Sequence, residues 1–121
     1  MIPAVCRRRR LRWERRPELH EGQWSLWVCR PAWAGNDTSQ NMIATTWVQE
    51  ERRLLVAVNY SPHASQCYVT LELPNIAGRR FNLVDLLGDA RYEREGDGLK
   101  TSGMYLDMPP WGHHVFELQG A

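Results

Sequence analysis

Apolar residues recur at every second position along most of this chain, and no stretch between them keeps a 3.6-residue period. Trp24, Leu26 and Val28 alternate with Ser25, Trp27 and Cys29, which predicts a strand. Residues 42–48 are β-branched and aromatic (Ile43, Thr45, Thr46, Trp47, Val48) and predict a second. Residues 53–60 carry the strongest pattern. Leu54, Val56, Val58 and Tyr60 share one face, and Leu55 and Ala57 lie on the other. With apolar residues on both faces, this segment reads as a central strand. Cys67, Val69, Leu71 and Leu73 alternate with Tyr68, Thr70 and Glu72, as a half-buried strand would. Phe81, Leu83 and Leu87 alternate with Asn82, Val84 and Leu86, and a turn at Gly88-Asp89 leads into a return strand over 90–93. Met104, Leu106 and Met108 alternate with Tyr105 and Asp107, and His114, Phe116 and Leu118 mark the last strand.

The breaks between these segments are rich in turn formers. Residues 30–41, RPAWAGNDTSQN, read as a loop, as do 50–52, 61–66 and Gly96-Asp97-Gly98. Pro109-Pro110 cannot continue a central ladder. About eight short strands with turn signals every 8 to 12 residues or so predict an all-β sandwich or barrel. Without helical segments between strands, a parallel sheet is not expected.

Length and charge refine this picture. The chain has 121 residues, enough for one domain. Residues 1–16 hold seven Arg and one Glu, a local charge of +6. The remaining 105 residues hold eight basic and thirteen acidic residues, a charge of −5. The chain therefore divides into a basic arm, 1–22, and a sandwich domain, 23–121. The arm reads as a short helix or a disordered segment, because Leu11, Trp13 and Leu19 make too thin an apolar stripe and Pro17 interrupts it. Cys6, Cys29 and Cys67 are odd in number and widely spaced, which argues against a disulfide framework. Unpaired thiols and the lack of an apolar leader segment point to the cytoplasm. No membrane-spanning run occurs.

Candidate chemistry is sparse. Asp85 sits in an apolar run and reads as a turn-adjacent carboxylate that accepts backbone hydrogen bonds rather than as a buried acid. His113 and His114 are adjacent, so on a strand they face opposite ways and cannot share a metal ion. His63 and Cys67 read as a surface imidazole and a core thiol. No phosphate loop or nucleophile elbow occurs. No cofactor is expected. The Arg run carries one interleaved aromatic, Trp13, beside an acidic domain, so nucleic-acid binding is the weakest reading.

The six Trp residues carry more. Flat aromatics exposed on a rigid β-surface stack on sugar rings or bury against a partner domain. Trp33 and Trp111 fall in predicted loops, and Trp13 in the arm. Trp24, Trp27 and Trp47 fall in predicted strands, where core packing is the ordinary expectation. Trp27 lies opposite Leu26 and Val28 and so is expected to face a neighbouring domain. Trp13, Trp27, Trp33 and Trp111 are thus the candidate sugar or domain contacts.

Several segments, taken in order, resemble the C-terminal all-β domain of α-amylase-family glycoside hydrolases. LLVAVNYS over 54–61 is similar to that domain's apolar strand ending in Asn and a small residue. FNLVDLLGDARY over 81–92 resembles its hairpin. LDMPPWGHHVFEL over 106–118 resembles its closing segment. RPELHEG over 16–22 and RPAWAGNDT over 30–38 are similar to the junction after the catalytic barrel. The resemblance covers about residues 15–119. It implies a Greek-key sandwich beside a (β/α) barrel, with the arm as a remnant of the barrel's last helix. The family's two catalytic Asp and one Glu lie in that barrel, and no residue here matches them. The expected role is therefore a non-catalytic accessory domain, with an α-glucan and self-association as further partner expectations.

Overall fold

A computed structural model of the chain describes residues 22–120. The basic arm, apart from Gly22, lies outside the described residues, and Cys6 and Trp13 with it. Nine strands form: β1 (Gln23–Trp27), β2 (Cys29–Pro31), β3 (Met42–Gln49), β4 (Arg52–Asn59), β5 (Ser65–Val69), β6 (Arg80–Asp85), β7 (Arg91–Glu95), β8 (Met104–Met108) and β9 (His113–Gly120). A 3-10 turn spans Thr38–Asn41, and a short helix, α1, spans Gly96–Thr101.

Six strands pair antiparallel in the order β1-β3-β4-β9-β6-β7, and three in the order β2-β5-β8. The chain is an all-β sandwich. β9 returns to lie between β4 and β6 after the chain has visited the small sheet, which is Greek-key crossover connectivity. Apolar alternation drives the closure. Leu55, Phe81, Leu83, Phe116 and Leu118 from the large sheet meet Cys67, Val69, Met104, Leu106 and Met108 from the small one, all buried. β4 is central, as its two apolar faces predict.

Four local expectations are corrected. Residues 30–41 are not wholly loop: the chain turns at Val28, leaves the large sheet and pairs as β2 with β5. This switch adds the ninth strand and closes one edge of the sandwich. The alternation of 67–73 persists beyond the strand. β5 stops at Val69, yet Leu71, Leu73 and Ile76 stay buried, and Leu71 N–H donates to Leu99 O at 2.8 Å. Inward burial, not ladder pairing, sets the alternation there. The predicted loop at 96–98 is instead the first turn of α1, drawn in by buried Leu99. The strand predicted to reach Leu87 ends at Asp85, leaving Leu86 and Leu87 exposed in the turn.

The orientation of β1 is also reversed. Trp27, expected to face outward, points to the sandwich interior and donates from Nε1 to Thr46 Oγ1 at 2.7 Å. Trp24, expected in the core, is 48% exposed, and Leu26 is 73% exposed. Pairing explains this: Trp27 sits opposite inward Ala44, and Leu26 opposite outward-facing Thr45. Spacing along the chain did not reveal that Cys29 and Cys67 meet across β2 and β5. Their pairing, together with burial, pushes the Cys67 thiol up, so it stays protonated. Among the described residues, no helix is long and apolar enough to cross a membrane.

Two glycines are fixed by close approach. A Cβ on Gly22 would overlap the indole of Trp47, and one on Gly96 would stand 1.7 Å from the Ile76 carbonyl oxygen. Backbone cannot yield as a side chain can, so Gly96→Ala should cost about 1–3 kcal/mol. Thermal unfolding tests this; a melting temperature within about 2 °C of the parent would refute it, since 1 kcal/mol corresponds to roughly 3–6 °C at a size between the 100- and 150-residue classes.

Candidate functional site

Three of the connections between the two sheets meet at one end of the sandwich and are tied by one buried side chain, Asn59, at the end of β4. Its amide nitrogen donates to the carbonyls of His63 (2.7 Å), Pro109 (2.9 Å) and Met108 (3.2 Å). Its oxygen accepts from Ser61 Oγ at 2.9 Å. The Asn41 amide donates to Ser65 Oγ at 3.1 Å, and Tyr60 N–H donates to Asn41 O at 2.8 Å, which draws in the 3-10 turn. Three connections (β2 to β3, β4 to β5 and β8 to β9) are thereby fixed against one another.

This frame carries exposed aromatics. Tyr60 is 71% exposed and Trp111 57% exposed, and their rings meet edge to face with centroids 5.5 Å apart. Trp111 occupies the left-handed backbone region at φ +58. For a bulky residue this costs about 1–3 kcal/mol and persists only where the surroundings enforce it. Here they do. Trp111 N–H donates to Ser61 O (3.0 Å), Gly112 N–H to Pro109 O (2.9 Å) and Asn59 N–H to Gly112 O (2.8 Å). Trp33 lies in the neighbouring β2 to β3 connection and is 54% exposed. Of the four Trp residues singled out from the sequence, Trp33 and Trp111 come to the same end. Trp27 faces the interior, and Trp13 lies outside the described residues.

A second feature adjoins this end. The outward face of the large sheet is apolar across its middle strands. Leu26 of β1, Ile43 of β3, Val56 and Val58 of β4 and Val115 of β9 share that face by register. Leu26 and Ile43 are exposed, and Val56, Val58 and Val115 are only half-buried. One step past β4, Tyr60 follows in the same alternation. An antiparallel sheet with one wet face normally shows polar residues there. The alternation of 53–60 announced two apolar faces. On that second face Trp47 is fully buried while Leu26 and Ile43 are exposed, a difference not readable from the sequence.

Asp85 accepts backbone hydrogen bonds, from Leu87 N–H (3.0 Å) and Val115 N–H (3.3 Å). Its third partner, His114 Nδ1 at 2.6 Å, was not readable along the chain, since the two meet only when β9 lies beside β6. The His114 ring also stacks on Phe116. Burial alone would raise the Asp85 carboxyl. The hydrogen bond from His114, with those from Leu87 and Val115, outweighs burial and holds it below the usual carboxylate range. His113 faces the opposite way, as strand alternation requires. Among the described residues, no three His, Cys, Asp or Glu side chains come together as a metal site. No protein-family model matches this chain, and no curated protein matches it.

Two outcomes follow. Asn59→Ala takes the side-chain donor from Met108 O, while His63 O keeps the Ser61 and Ser65 hydroxyls and Pro109 O keeps Gly112 N–H, so it should cost about 1–3 kcal/mol, the cost of one buried polar group left unpaired. Chemical denaturation reads it, and a loss below about 1 kcal/mol would show that the loops hold without Asn59. For Asp85 the folded-state value lies below the unfolded one. Its contribution is complete above the unfolded value near 3.9 and is lost as pH falls through the lowered folded value. Asp85→Asn should therefore lose less stability than the parent between about pH 5 and about pH 2, and equal slopes would contradict the assignment.

Proposed function

We propose that this chain is a non-catalytic accessory domain of an α-amylase-like glycoside hydrolase, one that stabilises or orients the catalytic (β/α) barrel. It docks through the outward face of the large sheet. The observation that carries this reading is the apolar stripe of Leu26, Ile43, Val56, Val58 and Val115 on a sheet face that would ordinarily be polar. Supporting it, the segments that resemble the family's C-terminal domain fall on β4, on the β6–β7 hairpin and on β8–β9, in the order the resemblance requires.

Docking has a physical logic on both sides. Covering exposed apolar side chains yields about 25 cal/mol per Å² of apolar surface removed from water. Tyr60 and Trp111 stand at one end of the stripe as rigid aromatic anchors, the residue types that dominate interface energetics. A partner that binds only the folded barrel raises the barrel's stability by mass action, about 2.7 kcal/mol at a hundredfold excess over Kd. That is a sufficient role without any acid–base pair.

The test uses the full chain and the catalytic barrel of an α-amylase-family enzyme expressed without its own C-terminal domain. The chain should co-sediment with the barrel and raise its melting temperature. Leu26→Lys with Ile43→Lys, both at exposed positions, should leave this chain folded and abolish both effects. No complex and no thermal shift would sink the proposal, and so would a double variant that binds as well as the parent. Trp111→Asn separates binding from folding. It relieves the left-handed strain at the cost of one edge-to-face contact worth about 0.5–1.5 kcal/mol, so stability should stay within about 1 kcal/mol while barrel binding weakens.

A further inference from the structure

Two thiols meet inside the small sheet, and the docking role makes no use of them. Cys29 opens β2, and Cys67 lies in the middle of β5. The register sets Cys29 opposite Val69 and Cys67 opposite Pro31, so the two are diagonal neighbours on adjacent antiparallel strands. Both turn inward. Cys67 is fully buried, and Cys29 is half-buried against the same core. We propose that Cys29 and Cys67 form a redox latch: a hydroperoxide oxidises the pair to a disulfide that fastens β2 to β5. The proposal does not rest on the docking role, because the pair lies in the small sheet and not on the outward face of the large one.

The surroundings give the two sulfurs different tasks. Cys29 keeps part of its surface in solvent, where a small oxidant can reach it. The hydrogen bond from Cys67 holds the Cys29 thiol below its ordinary value, although burial opposes this, and so favours the nucleophilic thiolate. Cys67 faces the dry interior, with buried Leu106 opposite it on β8, and keeps its proton. Cys29 is therefore the sulfur that attacks, and Cys67 the one that resolves. In the first step the Cys29 thiolate attacks the peroxide. An S–O bond forms, the O–O bond breaks, and the departing hydroxide takes up a proton as water. In the second step the Cys67 sulfur attacks the Cys29 sulfenic acid. The S–S bond forms, the S–O bond breaks, and the hydroxide leaves with the Cys67 proton. Two thiols and one hydrogen peroxide thus give one disulfide and two waters.

The latch has something to hold. β2 is three residues long, ends in a proline that cannot donate to a ladder, and pairs with β5 alone. A terminal strand so short is the part of a sheet that opens first. It also leads into the connection that carries Trp33 and the 3-10 turn. A bridge across β2 and β5 ties that whole connection to the sheet by a covalent bond, and reduction releases it.

The test uses the full chain carrying Cys6→Ser, which leaves only this pair. About one equivalent of hydrogen peroxide should remove both thiols and lower the mass of the single chain by about 2 Da, and dithiothreitol should reverse both changes. Hydrogen exchange at the amides of Cys29 and Arg30 should slow at least about tenfold in the oxidised form. Cys67→Ala, which keeps the core apolar, should halt the reaction at the Cys29 sulfenic acid, captured with dimedone. Cys29→Ser should leave the Cys67 thiol unreacted at the same dose. Persistence of both thiols would overturn the proposal. So would a disulfide between two chains in place of one within a chain, or exchange at β2 that oxidation leaves unchanged. Barrel docking is measured on the reduced chain, so failure of either reading leaves the other standing.

Discussion

One buried amide organises the end of this molecule where its exposed aromatics gather. Asn59 sits at the last inward position of β4, where alternation would call for another apolar residue. An apolar side chain there would leave the Met108 carbonyl without this donor and the His63 and Pro109 carbonyls with only their Ser61, Ser65 and Gly112 donors. Asn59 satisfies them together, at 2.7 to 3.2 Å. Because those carbonyls belong to two different connections, a single residue couples loops that are about fifty positions apart in sequence. Its backbone adds to this, since Asn59 N–H holds Gly112 O and so helps keep Trp111 in its strained conformation. The polar centre comes first in this hierarchy, and the exposed aromatics depend on it.

The two sheets divide labour in a related way. The small sheet gives its inward residues to the core and otherwise supports loops. The large sheet gives residues to the core from one face and presents Leu26, Ile43 and the β4 valines on the other. β4 serves both. Leu55 and Ala57 close the sandwich, and Val56 and Val58 form the stripe between them in sequence. The same eight residues therefore contribute to folding and to the surface proposed for docking.

Much of this was legible in the sequence. Period-two alternation located β3, β4, β8 and β9, and the two apolar faces of β4 placed it centrally. The failures share a cause: alternation tells which residues share a face but not which face is inside. Trp24, Leu26 and Trp27 were assigned to the wrong sides for that reason, since only pairing of Trp27 with Ala44 decides the matter. Alternation also survives where a chain leaves its ladder, so Leu71 and Leu73 read as strand although the segment pairs with α1 through Leu99. Trp33 and Trp111 were recognisable as loop aromatics, whereas their arrival at one end needed long-range contacts through Asn41, Asn59 and Ser61. The Asp85–His114 pair was invisible for the same reason, with its partners twenty-nine positions apart.

The outermost strand of the large sheet, β7, reads Arg-Tyr-Glu-Arg-Glu, and Arg80 of β6 reaches its Glu93 and Glu95. A free strand edge invites another strand to add, and alternating charges make that addition costly. At the opposite side β1 is the other terminal strand, and the chain leaves it to enter the small sheet as β2. The charged margin at β7 thus disfavours lengthening of the large sheet on that side, and the fold protects there by charge what elsewhere it protects by pairing.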